Sequence, residues 1–346
     1  MDTALVLQLR DAIAILERDL ASLSAILAAL AAEHESTQLA GRSQLQQALP
    51  ITFGFKAATW LAAIDRHRRR LQQAKPRILT GQLGGAVGSL AALHPDGLKV
   101  RDALCADLGL RSPEITWHTT RDSLTEFVLF LANLTTTLAK IGTDLVLMAQ
   151  TEVGEIREPW VPGRGTSSTM PQKRNPVGSA LLRTIAVIVR SEAIAMLDAG
   201  VQDHERATGT WVVEWLAIPR STVLTAGALD HAIAVLGGLE VDAAAMEANL
   251  ATTAGLISAE AVMMRLARSI GRQHAHDLVA VAARTAADTG SSFAEALAAN
   301  DEIAGVLSRD EIEQLLRPES YIGHATSMVE AVLREDADVA AYEEPG

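Results

Sequence analysis

The stretch that decides the fold of this 346-residue chain is residues 163–176, which read Gly-Arg-Gly-Thr-Ser-Ser-Thr-Met-Pro-Gln-Lys-Arg-Asn-Pro. Four consecutive hydroxyl residues stand at 166–169, and a lysine, an arginine and an asparagine follow at 173–175. The wider segment 152–176 contains four prolines and few apolar residues, which predicts a long loop. Because long loops in compact proteins often carry function, this loop is the first candidate for a site.

The residue types in this loop suit chemistry on a carboxylate. A serine acts as a base only when it is deprotonated, which requires nearby positive charge and backbone donors. Lys173 and Arg174 provide such charge, and lysine, arginine and asparagine side chains also bind carboxylates. A flexible, solvated loop explains the same residues, so the residue types alone leave both interpretations open.

Long helical runs extend on both sides of the loop. Leucine and alanine recur at helical spacing, and 49% of the chain is hydrophobic while only 3% is aromatic. We therefore predict an all-α fold, with an elongated central bundle of five long helices over residues 1–238 that carries loop 152–176. A smaller C-terminal helical domain is predicted over residues 239–346. The long helices are apolar over much of their circumference, which predicts that subunits associate.

Element boundaries follow from the same spacing and from the prolines. Residues 36–50 are predicted as a connection, Pro76 as a helix break, and residues 98–109 as a short helix. The long helices are predicted over 4–33, 52–73, 119–151, 177–197 and 209–236, and several small helices over 242–335.

Charge and composition exclude several classes of function. The net charge of −12 would repel nucleic acid, and the basic run 66–70 is expected to be a solvated helix face. No stretch reaches about 18 uncharged apolar residues and the start lacks a positive signal region, so we predict no membrane partner. Cys105 is the only cysteine, which predicts an inert packed thiol and a reducing, cytoplasmic location.

Segment 163–176 resembles the signature of the fumarase/aspartase superfamily, Gly-Ser-Ser-x-x-Met-Pro-x-Lys-x-Asn-Pro. It matches the form that is one residue shorter, Ser-Ser-x-Met-Pro-x-Lys-Arg-Asn-Pro. Enzymes of that superfamily handle protons next to substrate carboxylates. The resemblance implies that Ser167 is the general base or acid at carbon. It also implies that Lys173 and Asn175 bind a substrate carboxylate, with Ser168 and Met170 as further substrate contacts.

Other segments are similar to one branch of that superfamily, the bacterial 3-carboxy-cis,cis-muconate cycloisomerases. The similarity runs from Asp2 to about residue 335, which is nearly the whole chain. The matching segments are 41–42, 45–46, 48–54, 117–122, 126–127, 150–155 and 204–206, with Trp211 and 214–215.

The branch implies an intramolecular lyase of protocatechuate and β-ketoadipate catabolism. One carboxylate of a muconate adds to its own double bond, the adjacent carbon gains a proton, and a carboxymuconolactone forms. Such a tricarboxylate needs several cations, and the resemblance assigns Lys173, Arg206, Arg121 and Arg42 to this task. His118 is implied as a carboxylate contact or acid group, although a capping or packing histidine remains the alternative. No metal or cofactor is implied.

Two departures from the family pattern stand out. The superfamily's lyases carry Thr-His after Gly-Arg, and the cycloisomerases carry Thr-Trp and then Leu-Gln-His, whereas this chain has Ser43-Gln44 and then Leu45-Gln46-Gln47. Glutamine does not transfer protons near neutral pH, which argues against an ordinary lyase mechanism. Family members also have an N-terminal domain, and the start at Met1 resembles the tail of its last segment, so that domain is expected to be missing.

Three functional hypotheses remain open from the sequence. The first is the cycloisomerase, working on a small polycarboxylate as a homotetramer whose sites combine residues of several subunits, as the family implies. The second is a lyase that releases fumarate from a compound such as adenylosuccinate. The third is a truncated, non-catalytic paralogue that only assembles.

Overall fold

Apolar side chains recur every three or four residues in the five long helices, and this spacing places one face of each helix in a shared core. The computed structural model describes residues 1–161, 163, 165, 169, 170 and 172–343, so Ser167 and Ser168 lie outside the described residues. The all-α prediction is confirmed, since the protein is 69% helical with little sheet. The helices are α1 Asp2–Glu33, α2 Phe53–Ile78, α3 Gly97–Asp107, α4 Asp122–Met148, α5 Val177–Ala199, α6 Glu214–Gly237, α7 Ala243–Ala251, α8 Ala259–Ile270, α9 Arg272–Thr289, α10 Phe293–Ala298, α11 Asp301–Ala304, α12 Arg309–Leu315 and α13 Ala325–Glu343; the strands are β1 Gln38–Ser43, β2 Gln46–Thr52, β3 Ile156–Arg157 and β4 Glu240–Val241.

Helix α4 lies at the centre of the bundle, against α2, α5 and α6. One stripe of this helix is fully buried, and each such side chain contributes roughly 1.5–3 kcal/mol. By length and composition α4 is apolar enough to cross a membrane, but 61% of that window is buried inside the protein, and the core helix of a bundle meets the same test. The buried stripe consists of Phe127, Leu131, Leu134, Leu138, Ile141 and Leu145.

The prediction of a plain connection over residues 36–50 is wrong, because strands β1 and β2 form an antiparallel hairpin there. At its turn, Gln44 and Leu45 have φ values of 50° and 66°. Two consecutive left-handed residues are typical of hairpin turns, in which glycine and asparagine are the usual residues. The hairpin leads directly into α2, whose first turn is capped by the Thr52 hydroxyl accepting from the Phe55 N–H at 3.0 Å.

Two further local predictions are corrected by the structure. Pro76 does not break α2 but lies in its last turn, so the helix continues to Ile78. Within the predicted loop 152–176, strand β3 pairs with β4, which connects the end of α4 to the segment after α6. Both features depend on packing against distant residues, which local sequence patterns do not contain.

The helices after α7 bury a second apolar cluster of their own, spanning Val262 to Ile312. Helix α13 then returns to the bundle and packs on α1 and α2. The division at residues 238–239 stays a prediction.

The expectation that the basic run 66–70 is a solvated face is wrong for His67 and Arg68, which are both buried. The Arg68 side chain is buried and donates to Asp65 of α2 and Asp336 of α13 at 3.3 and 3.1 Å. Arg68 therefore joins the C-terminal helix to the bundle.

Candidate functional site

The predicted site residues lie at the two ends of α4. His118 and Arg121 come just before the helix, and the loop with Lys173 and Asn175 comes after it. Helix α4 has 27 residues, which corresponds to about 40 Å at the usual rise per residue. One chain therefore carries two separate groups of candidate residues, the His118 end and the loop end.

At the loop end, Arg42 of the hairpin is held by a buried carboxylate. Its guanidinium donates to both oxygens of Glu155 at 2.9 and 2.7 Å, and Glu155 is fully buried. Asn249 of α7 donates to the same carboxylate at 2.9 Å, and Gln47 donates to the Asn249 carbonyl at 2.9 Å. The positive charge of Arg42 is thus neutralised by Glu155. This favours a positioning role over the predicted direct contact with substrate.

The described part of the signature loop is tied to the bundle by Arg174. Its guanidinium donates to both oxygens of Glu240 at 3.0 and 2.7 Å and to the Glu158 carbonyl at 2.8 Å. The Glu158 carboxylate accepts from the backbone N–H groups of Gly178 and Ser179 at the start of α5, at 3.1 and 2.7 Å. The loop is thus anchored at its C-terminal side, next to the residues that are expected to bind substrate.

A cavity of about 770 Å³ lies beneath this loop, between it and the end of α4. Lys173 is exposed at its edge, and Asn175 is half-buried. The Asn175 N–H donates to the Gly165 carbonyl at 2.9 Å, which closes the loop on itself. Met170, Lys173 and Asn175 therefore share one cavity, and the predicted roles of Ser167 and Ser168 concern residues outside the described part of the chain.

At the His118 end, Arg121 is paired in the same way as Arg42. It donates to both oxygens of Glu214 at 2.7 and 2.5 Å, and it contacts Asp2 at 3.2 Å. The side chains of Arg121 and Glu214 are only 4% and 1% exposed, and the Trp117 ring lies 5.1 Å from the guanidinium. A buried arginine with its partners in place suits a positioning role, not the predicted direct contact with a carboxylate.

Arg206 is an exposed cation at this end. It donates to the carbonyl oxygens of Ala86 and Gly85 at 2.9 and 2.7 Å. A guanidinium has five N–H donors, so these two bonds orient Arg206 and leave further donors for an anion.

His118 is half-buried beside Arg206. Burial lowers its pKa from 6.5, and the charges of Arg206 and Arg121 add to that effect. The lowered pKa favours the neutral imidazole. A neutral ring is a proton acceptor through one nitrogen and a donor through the other.

The structure thus brings His118, Arg121 and Arg206 together at one end and Arg42, Met170, Lys173 and Asn175 at the other. In the sequence, Glu155 and Glu214 lie in segments that are similar to the cycloisomerases, but no role was predicted for either carboxylate. Their burial depends on contacts 113 and 93 residues apart along the chain, which the sequence does not display.

The outer surface of α5 and α6 is apolar and exposed. Ile194 is 63% exposed and Leu216 is 72% exposed. We call this surface the α5–α6 outer face. Its residues are Val187, Ile194, Leu197, Leu216 and Val223. Exposed apolar stripes along long helices are typical of contacts with another chain.

Comparison with known proteins places this architecture in a family. A family model described as "Lyase" matches residues 1–191, and one for the adenylosuccinate lyase C-terminus matches residues 255–332. The chain is 48% identical over 335 residues to a 3-carboxy-cis,cis-muconate cycloisomerase of Pseudomonas aeruginosa, covering 97% of this chain and 73% of that protein. It is 45% identical over 332 residues to trans-aconitate decarboxylase 1 of Mycosarcoma maydis, covering 96% and 67%.

Comparison with a solved structure supports the same family. The 3-carboxy-cis,cis-muconate lactonizing enzyme of Pseudomonas putida superposes with a TM-score of 0.93 at 44% identity, covering 98% of this chain and 76% of that one. The overall helical architecture of this chain is therefore shared with that enzyme. The chain belongs to the lyase family of the fumarase/aspartase superfamily, and it groups there with the 3-carboxy-cis,cis-muconate cycloisomerases.

Proposed function

We propose that this protein is a 3-carboxy-cis,cis-muconate cycloisomerase, an intramolecular lyase of aromatic catabolism. The observation that carries the proposal is the 48% identity over 335 residues to the Pseudomonas aeruginosa cycloisomerase. In this reaction one carboxylate of the muconate adds to its own double bond, and the neighbouring carbon takes a proton. The product is a carboxymuconolactone.

The proposed roles follow from the charge that develops during the reaction. In reverse, a base removes a proton next to a carboxylate, and the resulting carbanion is stabilised as an aci-carboxylate. Ser167 transfers this proton in our proposal, with Ser168 and Met170 beside the substrate. Lys173 and Asn175 bind one carboxylate at the loop end, and Arg206 binds another from the His118 end.

We further propose that the site is completed by a second copy of the chain, within a homotetramer. About 40 Å of α4 separates His118 and Arg206 from the loop with Lys173, so one chain does not bring them together. An antiparallel neighbour would place the His118 end of one chain at the loop end of another. The exposed α5–α6 outer face supplies an apolar surface for such a contact.

Replacing Ile194 with glutamate is expected to dissociate the tetramer and abolish turnover, because a buried, unpaired carboxylate costs about 3 kcal/mol or more per contact, or roughly a hundredfold in affinity. Sedimentation measures the assembly, and the ultraviolet absorbance of the muconate measures the activity. Val281→Glu, on an exposed part of α9, is the matched control and is expected to change neither. An Ile194→Glu variant that stays tetrameric, or a fully active monomer, would refute this arrangement.

The reaction itself is tested with three substrates. Loss of the diene absorbance of 3-carboxy-cis,cis-muconate, with formation of the lactone, supports the proposal. Fumarate released from adenylosuccinate would instead identify a C–N lyase. Loss of carbon dioxide from trans-aconitate would identify the activity after which the Mycosarcoma maydis relative is named. No reaction with any of them, by an assembled protein, would favour the non-catalytic paralogue.

We also propose that the enzyme works in the cytoplasm. Cys105 is the only cysteine and is buried as a free thiol. A chain that does not rely on disulfides suits a reducing compartment.

A further inference from the structure

The carboxamide of Gln82 lies against the segment that carries His118. The neighbouring groups determine which of the two terminal atoms of Gln82 is the oxygen and which is the nitrogen. Placed toward the segment, the oxygen accepts from the backbone N–H groups of Trp117 and His118, both at 3.0 Å. The opposite orientation would direct the amide NH₂ at these two groups, which only donate. The oxygen of Gln82 therefore faces the segment.

This orientation decides which nitrogen of His118 carries the proton. The same oxygen lies 2.9 Å from the Thr116 hydroxyl, which donates to it, and 3.0 Å from His118 Nε2. An amide oxygen only accepts, so Nε2 must be protonated in order to donate to it. In a neutral imidazole the other nitrogen then carries a lone pair. Within the described part of the chain, Nδ1 is buried and has no hydrogen-bond partner.

Both partners in this contact are held in place. Gln82 is 8% exposed, its N–H donates to the Thr3 hydroxyl at 3.0 Å, and that hydroxyl donates to the Gln82 carbonyl at 2.7 Å. At the ring atom next to Nε2, a Cβ added to Gly84 would lie 3.0 Å from His118 Cε1. The ring is thus packed against backbone at its Cε1 edge, and it has little freedom to turn over.

We propose that Gln82 is a positioning residue, which fixes His118 as the Nε2–H tautomer and leaves Nδ1 as the proton acceptor at this end of the site. Any proton that His118 gains is then taken up at Nδ1, and the Nε2–H bond to Gln82 steadies the imidazolium that forms. A lone pair at Nδ1 repels a carboxylate, so His118 is not a carboxylate-binding donor. The catalytic consequence rests on the proposed function, but the tautomer does not.

The tautomer is measured directly by nitrogen-15 NMR of the full chain with labelled histidine. The His118 signals are those lost in a His118→Asn variant. The wild-type protein is expected to show a protonated Nε2 and an unprotonated Nδ1 at pH 7.5. A protonated Nδ1 would overturn the proposal. Because this readout needs no substrate, it stands even if the protein does not act on 3-carboxy-cis,cis-muconate.

A second variant tests the role of Gln82 itself. Gln82→Glu keeps the shape and places a carboxylate beside Nε2. It is expected to raise the pKa of His118. The new carboxylate opposes the lowering effect of burial, Arg206, Arg121 and the N-terminal amine, and it adds to the raising effect of Asp2. The acid limb of the pH profile of kcat/KM moves to higher pH by the same amount. Gln273→Glu, exposed on α9, is the control and should leave the profile unchanged.

Gln82→Met removes the acceptor. It is expected to give a mixture of His118 tautomers and to lower kcat by about 10–100-fold, with a much smaller change in KM. Unfolding is followed in parallel, because Gln82 also holds the segment before α4. A Gln82→Met protein with a single Nε2–H tautomer and normal kcat would overturn the positioning role.

Discussion

Replacing Ser167 with alanine is expected to lower kcat and kcat/KM for 3-carboxy-cis,cis-muconate equally, by a factor of about 10²–10⁴. A positioned acid or base contributes this much to proton transfer, and alanine has no group that exchanges a proton. The loss falls on kcat because the proton moves in the transition state. In our proposal Lys173, which follows in the same loop, still binds the substrate, so KM should change little.

Two other serines serve as controls for this result. Ser168→Ala removes a substrate contact in our proposal, so it should raise KM more than it lowers kcat. Ser269→Ala changes an exposed hydroxyl near the end of α8 and should have no effect on either. Sedimentation should show an unchanged assembly for all three variants. Near-normal turnover of Ser167→Ala would remove that residue from the mechanism.

Helices were predictable from the sequence because their apolar faces repeat within one element. The stripe from Phe127 to Leu145 reveals α4 without any knowledge of its neighbours. The hairpin was not predictable in this way. Its turn residues, Gln44 and Leu45, are not the glycine or asparagine that usually indicate two left-handed positions, so the segment resembled a simple connection.

The residue types of the candidate site were predictable, but the ion pairs that these residues form were not. The signature motif identified Lys173 and Asn175, which line one cavity. It could not reveal that Arg42 and Arg121 are already bound to buried carboxylates far along the chain. The sequence identifies an arginine as a cation, whereas only the structure shows which carboxylate pairs with it. An arginine that is already paired with a buried carboxylate suits a positioning role, whereas an unoccupied cation can bind a substrate carboxylate.

The same limit explains why Gln82 was missed. A glutamine before a glycine-rich turn carries no motif, and its importance appears only where its oxygen meets the backbone of Trp117 and His118. Likewise, the separation of the two groups of candidate residues follows from the length of α4, which was predicted. Our proposal that the site needs more than one chain rests on the assignment of each candidate residue to one end of that helix.

The buried contact between α2 and α13 should have the largest effect on stability. Replacing Arg68 with methionine is expected to lower the free energy of unfolding by about 3–5 kcal/mol at pH 7.5. The change leaves Asp65 and Asp336, whose side chains are 5% and 17% exposed, facing each other without their cation. Urea unfolding at a fixed protein concentration measures the loss. Arg69→Met is the control, because the ion pair of Arg69 with Glu335 is exposed and should contribute less than about 1 kcal/mol.

The pH dependence of the same contact separates charge from packing. Burial, together with the charge of Asp336, raises the pKa of Asp65 from 3.8 to about 6. A carboxyl with a raised pKa in the folded state favours folding most when it is protonated. Its contribution is therefore complete below about pH 4 and is lost as the pH rises through about 6. The cost of Arg68→Met should accordingly be smaller at pH 5 than at pH 7.5, and Asp65→Asn should flatten the profile between these values. An equal cost at both pH values would mean that Arg68 stabilises α13 by packing and not by its charge.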